Sequence, residues 1–456
     1  VNDVSPRFGA GLPIGRRRLV VATVAITTIL GILDGTISNV ALPTIAQDLR
    51  ASSAAVVWVV NAFQLATTIL LLPLSSYGDI VGFARVYRAG VAILVVASVF
   101  CATAHDLPTL IAARTFQGIG AAAILASSQP ISRFSFPIAM LGVAIGIQSV
   151  ISSTSQAAGP SIGGLILGIG SWRWLYWINV PFGAIALALS GLLPRMPRGS
   201  HPFDWPSAAL SGATLALFIT GLDELRAPAN VALFALETGA AAILGTVAVR
   251  RQRSLDPPFL AVDLLRIRVI RLALAAGFTG FVAQGAALIA LPFFFRSLGY
   301  TAAETGFMLS AFPVGAALIS LIAGRLADRY HTGILGAIGL ATFAASMAML
   351  ALLPAHPAAF DVVWRTALAG IGWGIFASPN LRTIVGAAPP HRVGVTTGLT
   401  TTSRLTGSTI GVALTALVFS AAGTAGNALW LAAAIAAAGT AICTLRIGAP
   451  RGVSDP

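Results

Sequence analysis

Long apolar runs separated by short polar segments set the pattern of this chain. About fourteen runs can be marked, each long enough to cross a bilayer core as a helix. They lie near residues 19–42, 56–74, 87–104, 108–130, 137–160, 174–193 and 207–222, then 229–249, 269–294, 305–324, 333–353, 360–381, 394–420 and 427–447. A closed β-barrel also spans membranes, but it is built from short alternating strands, and these runs are too long and unbroken for it. The pattern predicts an all-α membrane protein.

Few charges interrupt the runs, so each one is informative. Asp34 is the only ionisable residue between Leu19 and Leu42. An acid inside a span is costly and usually faces a protein interior or an aqueous cavity, where it does ionic work. Thr36, Ser38 and Asn39 add hydroxyls and an amide close by. Arg114 lies in the fourth run, six residues past Pro108, or ~9 Å at 1.5 Å per residue. With the first helix ending at Pro43, Asp34 lies ~13 Å from the same side of the bilayer, so the two charges can meet. Gln117 and Asn39 are the polar neighbours expected to orient them. Arg404 in the thirteenth run and Glu237 in the eighth are further stray charges.

Composition agrees with a membrane protein: 56% of residues are hydrophobic, 9% are charged, and the mean hydropathy is +0.87. The net charge of +13 comes from 28 basic residues, all of them Arg. Most fall on one set of alternate loops, among them Arg16, Arg17, Arg18, Arg250, Arg251, Arg253, Arg266, Arg268 and Arg271. That is the positive-inside bias of an even number of spans with both ends in the cytoplasm, not the footprint of a nucleic-acid binder. Cys101 and Cys443 suggest neither a disulfide framework nor a metal site. No Gly-x-x-x-x-Gly-Lys-Ser/Thr loop and no nucleophile constellation is present. The chain is therefore expected to be no enzyme, to need no cofactor, and to draw energy from an ion gradient. Its first apolar run continues into Asp34 without a small-residue cleavage site and reads as a retained helix, not a leader.

An internal duplication runs through the chain at an offset near 250. Arg114-Thr115 with Gly118-Ile119-Gly120 returns as Arg365-Thr366 with Gly370-Ile371-Gly372. Ala126-Ser127 before Arg133 returns as Ala377-Ser378 before Arg382, and Asp79 matches Asp328. Gly142, Gly146 and Gly159 match Gly394, Gly398 and Gly411 at a constant offset. Parallel repeats of this kind are one transporter plan, with substrate near midplane. The expected division is 1–193 as one six-helix bundle, 194–268 as a two-helix insertion with cytoplasmic loops, and 269–456 as the second bundle.

These residues resemble the major facilitator superfamily, and in particular its fourteen-span drug:proton antiporter branch. The Asp34 segment, Leu33-Asp34-Gly35-Thr36-Ile37-Ser38-Asn39-Val40-Ala41-Leu42-Pro43, is similar to that branch's first-helix motif. Arg114-Thr115-Phe116-Gln117-Gly118-Ile119-Gly120 is similar to its fourth-helix motif, and Gly159-Pro160-Ser161-Ile162-Gly163-Gly164 to the antiporter motif of the fifth, with Ser155 in place of the leading Gly. Trp172-Arg173-Trp174 and Asn179-Val180-Pro181 resemble the start of its sixth helix. The cytoplasmic motif after the second helix departs from the family pattern. Asp79 and Gly82 remain, but Ser75, Tyr77, Ile80 and Phe83 replace its other positions, with Arg85 and Arg88 displaced nearby. Its second copy, Gly324-Arg325-Leu326-Ala327-Asp328-Arg329, is nearly intact.

The resemblance implies a major facilitator fold in a bacterial inner membrane and export of amphipathic or cationic small molecules against protons, of the multidrug efflux type. Asp34 and Arg114 would couple protons. Asp79, Gly82, Arg85, Gly159, Pro160, Gly163, Gly164, Gly324, Asp328 and Arg329 would gate. Phe278, Phe281, Trp373, Gln284, Asn39, Gln117 and Arg404 are the candidate cavity residues, with Phe293, Phe294, Phe295 and Phe376 as further aromatics. Asn61 stands where some relatives carry an acid, which favours narrower or monocationic cargo. Trp172, Trp174, Tyr176 and Trp177 read as an interfacial anchor. Partners would be substrate, protons and lipid, acting on a monomer, with a periplasmic adaptor allowed by the resemblance. A dedicated exporter of one metabolite and a non-transporting receptor or scaffold stay open as alternatives.

Overall fold

The computed structural model describes residues 12–137, 140–194, 196, 203–224, 230–252, 262–387, 393–421 and 423–447. Among the described residues the chain is helical without strands. In order the helices are α1 (Ile14–Asp48), α2 (Ser53–Val56), α3 (Trp58–Val81), α4 (Phe83–Thr103), α5 (Leu107–Ser135), α6 (Leu141–Ile169), α7 (Trp174–Trp177) and α8 (Asn179–Leu189). Then come α9 (Trp205–Glu224), α10 (Val231–Gln252), α11 (Arg268–Ser297), α12 (Ala302–Arg329), α13 (Thr332–Ala351), α14 (Ala359–Gly386), α15 (Val393–Ser420) and α16 (Ala425–Ile447).

Among the described residues eleven helical segments are long and apolar enough to cross a membrane, α2–α3 and α7–α8 each acting as one. Three more helices, α6, α14 and α15, are 29, 28 and 28 residues long. Their apolar character is diluted by hydroxyls in α6, by Asp361 and Arg365 in α14, and by threonines and Arg404 in α15.

The first helix does not stop at Pro43. It runs on to Asp48 with Pro43 inside it. A proline inside a membrane helix is tolerated because neighbours re-satisfy the carbonyl it frees, and α3, α5, α6, α11, α12 and α14 also contain one. At the start of α5, Asp106 caps the helix by accepting from Thr109 N at 2.8 Å.

The chain packs as two compact units. One takes α1 up to Ser38 and Trp58–Ala208; the other takes Asn39–Val57 and the chain from Ala209 onward. In the first unit, α5 lies against α3 and α4 through two glycines. A Cβ at Gly118 would meet Phe63 O at 2.5 Å, and one at Gly120 would meet Gly90 O at 2.7 Å. In the second unit, α14 meets α12 and α13 in the same way: a Cβ at Gly370 would overlap Phe312 O, and one at Gly372 would meet Gly339 O at 2.7 Å. Gly159 and Gly163 of α6 face Thr36 and Ile37 of α1, while Gly411 of α15 faces Val282 O of α11. Small residues let membrane helices approach to backbone contact. The repeated glycines therefore mark the same helix crossings in each unit.

Each unit also has an apolar core. Tyr87, Val91, Leu94, Ile124 and Ile131 pack with Val20 and Val24 in the first. The Tyr87 hydroxyl lies 2.7 Å from Thr27 Oγ1 and donates to Thr23 O at 3.1 Å. In the second, Leu264, Ile270, Ala273, Leu274 and Ile384 form a cluster to which Leu399 adds.

Candidate functional site

Helices α1, α3, α4, α5 and α8 of the first unit converge on Asp34. It sits on α1 at 3% exposure, and Arg114 on α5 is fully buried. Arg114 Nη1 forms an ion pair with Asp34 Oδ2. Gln117, three residues on and thus on the same face of α5, donates from Nε2 to Asp34 Oδ1 at 3.0 Å. Asn179, the first residue of α8, donates from Nδ2 to the same oxygen at 3.0 Å. Both carboxylate oxygens are thereby engaged.

The groups around the pair hold it in place. Arg114 Nη1 also donates to Gln117 Oε1 at 2.6 Å, and Arg114 Nε donates to Val59 O at 3.0 Å. Its guanidinium lies over the rings of Phe63 at 4.3 Å and Tyr176 at 5.6 Å. Ser98 of α4 accepts from Gln117 Nε2 at 3.0 Å and from Asn179 Nδ2 at 3.4 Å. One turn further on, Cys101 Sγ donates to Gln117 Oε1 at 3.6 Å. Arg114 Nη2 is buried without an acceptor. A carboxylate can accept from several donors, and charge-assisted bonds are the stronger kind. The site is a buried clasp around a charged pair.

The expected Asp34, Arg114 and Gln117 are thus brought together, whereas Asn39 is not part of the clasp. Its Oδ1 is buried without a partner, on the stretch of α1 that belongs to the second unit. Asn179 supplies the amide instead. Asn179, Ser98 and Cys101 escape sequence reasoning, although Asn179 stands two residues before Pro181 in a segment already singled out. The aromatic anchor reading is corrected in part. Trp172 and Tyr176 are 2% and 1% exposed, and Tyr176 lies beneath Arg114, while Trp174 and Trp177 stay exposed.

The candidate gating residues are distributed over several elements. Gly82 begins α4 with φ at 103°, a conformation that suits glycine. Asp79 ends α3 nearby, and Arg85 is exposed. Gly159, Pro160, Gly163 and Gly164 are buried in α6. The first and third face Thr36 and Ile37, so this stripe lies within a turn of Asp34. A Cβ at Gly159 would overlap Thr36 Oγ1, so Gly159→Ala is expected to cost about 1–3 kcal/mol by overpacking. Gly324→Ala, with nothing within 4 Å of its Cβ, is expected to change little. Thermal unfolding of the two variants in detergent checks the contrast. Arg329 is exposed at the end of α12, where a cation suits the helix dipole. The side chain of Asp328 lies outside the described residues.

In the second unit, Phe278, Phe281 and Gln284 are half-buried along α11. Trp373 is instead a core ring at 9% exposure, packed on Phe281 at 5.1 Å, Phe376 at 5.5 Å and Phe343 at 6.2 Å. Phe294, Phe295 and Phe376 are core residues too. Asn61 is buried on α3, its Oδ1 without a partner. Glu237 is half-buried on α10, with Oε2 enclosed and unpartnered. Among the described residues no group of three or more His, Cys, Asp or Glu side chains is placed to hold a metal ion.

Comparison with known proteins bears on this arrangement. The sequence model described as Major Facilitator Superfamily matches residues 24–412 and 272–454. The chain is 42% identical to "Uncharacterized transporter YebQ" of Escherichia coli (strain K12), over 97% of this chain and 98% of that protein. It is 30% identical to "Riboflavin transporter RibZ" of Clostridioides difficile (strain 630), over 82% of each. Several other relatives carry drug- or antibiotic-resistance names. A crystal structure of a POT family transporter in complex with 5-aminolevulinic acid superposes with a TM-score of 0.71 at 14% identity, covering 97% of each chain.

Proposed function

The chain belongs to the Major Facilitator Superfamily, and from that premise we propose that it is a proton-coupled exporter of amphipathic or cationic small molecules. The observation that carries the reading is the buried Asp34–Arg114 clasp. An intramembrane acid is a functional-site hypothesis by default, and this one ties five helices together. When Asp34 takes up a proton, one accepting oxygen becomes an O–H directed among Arg114, Gln117 and Asn179, all of which donate to it. At least one of those contacts must then open. Protonation and the packing of α1 against α5 and α8 are thereby linked, which is what exchange of a proton for cargo requires.

The same reading assigns fourteen spans to this chain, with α6, α14 and α15 crossing alongside the eleven more apolar segments. It divides the chain into bundles 1–193 and 269–456 joined by 194–268. It places the protein in a bacterial inner membrane with both ends cytoplasmic, in line with the distribution of arginines. The resistance names among the relatives favour export over uptake.

Proton release from acid-loaded proteoliposomes on addition of candidate cargo tests the proposal. The expected result is cargo-triggered release in the wild type and none in Asp34→Asn of matched folded content. Release of equal size in both would remove Asp34 from coupling and overturn the mechanism.

A further inference from the structure

Three arginines of the second unit's long helices bear comparison, and two of them have partners. Arg446 of α16 is 3% exposed, with Nη1 donating to Asn380 Oδ1 at 2.6 Å and Nη2 to Thr383 Oγ1 at 2.9 Å and Thr332 Oγ1 at 3.2 Å. Neutral oxygens enclose it, as a structural arginine requires. Arg365 of α14 lies 3.9 Å from Asp361 and stacks on Trp364 at 5.1 Å.

Arg404 is different. It stands mid-way along α15, about 16 Å from the start of that helix at 1.5 Å per residue, and its side chain is exposed. Among the described residues it has neither a hydrogen-bond acceptor nor a carboxylate partner. Three acids of the unit have partners of their own: Asp361 has Arg365, Glu304 the Thr301 cap, and Glu224 Asn230. A guanidinium keeps its charge under all ordinary conditions. Inside a membrane such a group faces a wet cavity and marks a substrate or ion path.

Its surroundings define what could meet it. One turn along α15, a Cβ at Gly407 would lie 2.9 Å from Phe278 O and 3.1 Å from Phe281 Cβ, so the half-buried rings of α11 stand at the level of Arg404. Trp373 backs Phe281. Ser408 and Gln284, both half-buried, lie where α15 crosses Gly285 of α11. A fixed fork of donors at the level of aromatic residues suits a carboxylate carried on an apolar ring system.

We propose that Arg404 is the anion-binding residue of the cargo site, and that the cargo class includes amphipathic aromatic carboxylates. The inference deepens the exporter reading and rests on it for the word cargo. Equilibrium binding to the detergent-purified full chain, by calorimetry, tests it without any proton gradient. The probes are 2-naphthoate, the neutral 2-naphthamide and the cationic 2-naphthylmethylamine. A hydrogen bond to a charged group contributes about 1.5–3 kcal/mol, so wild type is expected to bind naphthoate at least about tenfold more tightly than naphthamide. Arg404→Gln is expected to lose that preference while keeping naphthamide affinity within about twofold, and Arg404→Lys to retain part of it.

A wild type that binds naphthoate no better than naphthamide, or not at all, overturns the proposal. So does a preference that survives in Arg404→Gln. Should Arg404→Gln not fold, the wild-type preference and its reduction in Arg404→Lys decide the matter, and an undiminished preference in Arg404→Lys then overturns it. Failure of coupling with intact Arg404-dependent binding removes the antiport step alone; the reverse pattern removes only the cargo assignment.

Discussion

Arg114→Ala is expected to lower the stability of the folded protein by about 3–5 kcal/mol, because it leaves a buried carboxylate without its counter-charge. The loss is larger than the pair's net contribution to stability, since desolvation offsets much of the attraction when both charges are present. Removing Arg114 also strips a donor from Val59 O and leaves a void beneath the rings of Phe63 and Tyr176. The double variant Asp34→Asn with Arg114→Gln restores a neutral hydrogen-bonded cluster and is expected to recover at least half of that loss. Unfolding midpoints of the single and double variants in detergent check this as a cycle. Strictly additive losses would mean that the two residues do not act as a pair. Arg114→Lys is not a conservative control, because an ammonium cannot reach Asp34, Gln117 and Val59 in the fixed directions of a fork.

The second large effect is expected at Gly370. Its α-hydrogens face the Phe312 carbonyl so closely that Gly370→Ala requires α14 and α12 to separate. Backbone cannot swing aside as a side chain does. The expected cost is at the upper end of the about 1–3 kcal/mol typical of overpacking, or beyond it. Gly118→Ala, the counterpart in the first unit, meets Phe63 O at 2.5 Å and is expected to cost less. Folded yield and unfolding midpoint give the order. Equal tolerance of both substitutions would contradict the close crossings described for α5 and α14.

Much of this architecture is legible from the chain itself. The helices follow the apolar runs, since a bilayer leaves a helix as the economical way to satisfy its backbone. The Asp34–Arg114 pair is legible because a lone charge in an apolar run demands a partner. Neutral members of the clasp are not. Ser98 and Cys101 look like any small residues of a membrane helix, and only the approach of α4 to α5 gives them a role. Asn39 and Asn179 are equally polar in sequence. Which one reaches Asp34 depends on the crossing of α8 over α1, and no local pattern encodes that. Trp172 and Tyr176 mislead for a related reason: ring-rich segments suit both a lipid interface and a helix junction. Pro43 misleads because its missing N–H ends helices more reliably in water than among packed membrane helices.

The contact between Cys101 and Gln117 gives the clasp a native reporter. Sγ is buried, and its proton is directed at the amide oxygen that also receives Arg114. The S–H stretching band falls in an infrared window free of amide and water absorption, and its frequency follows the strength of that contact. With Cys443→Ser removing the other thiol, a single vibrational line would register the opening and closing of the charged pair in unlabelled protein.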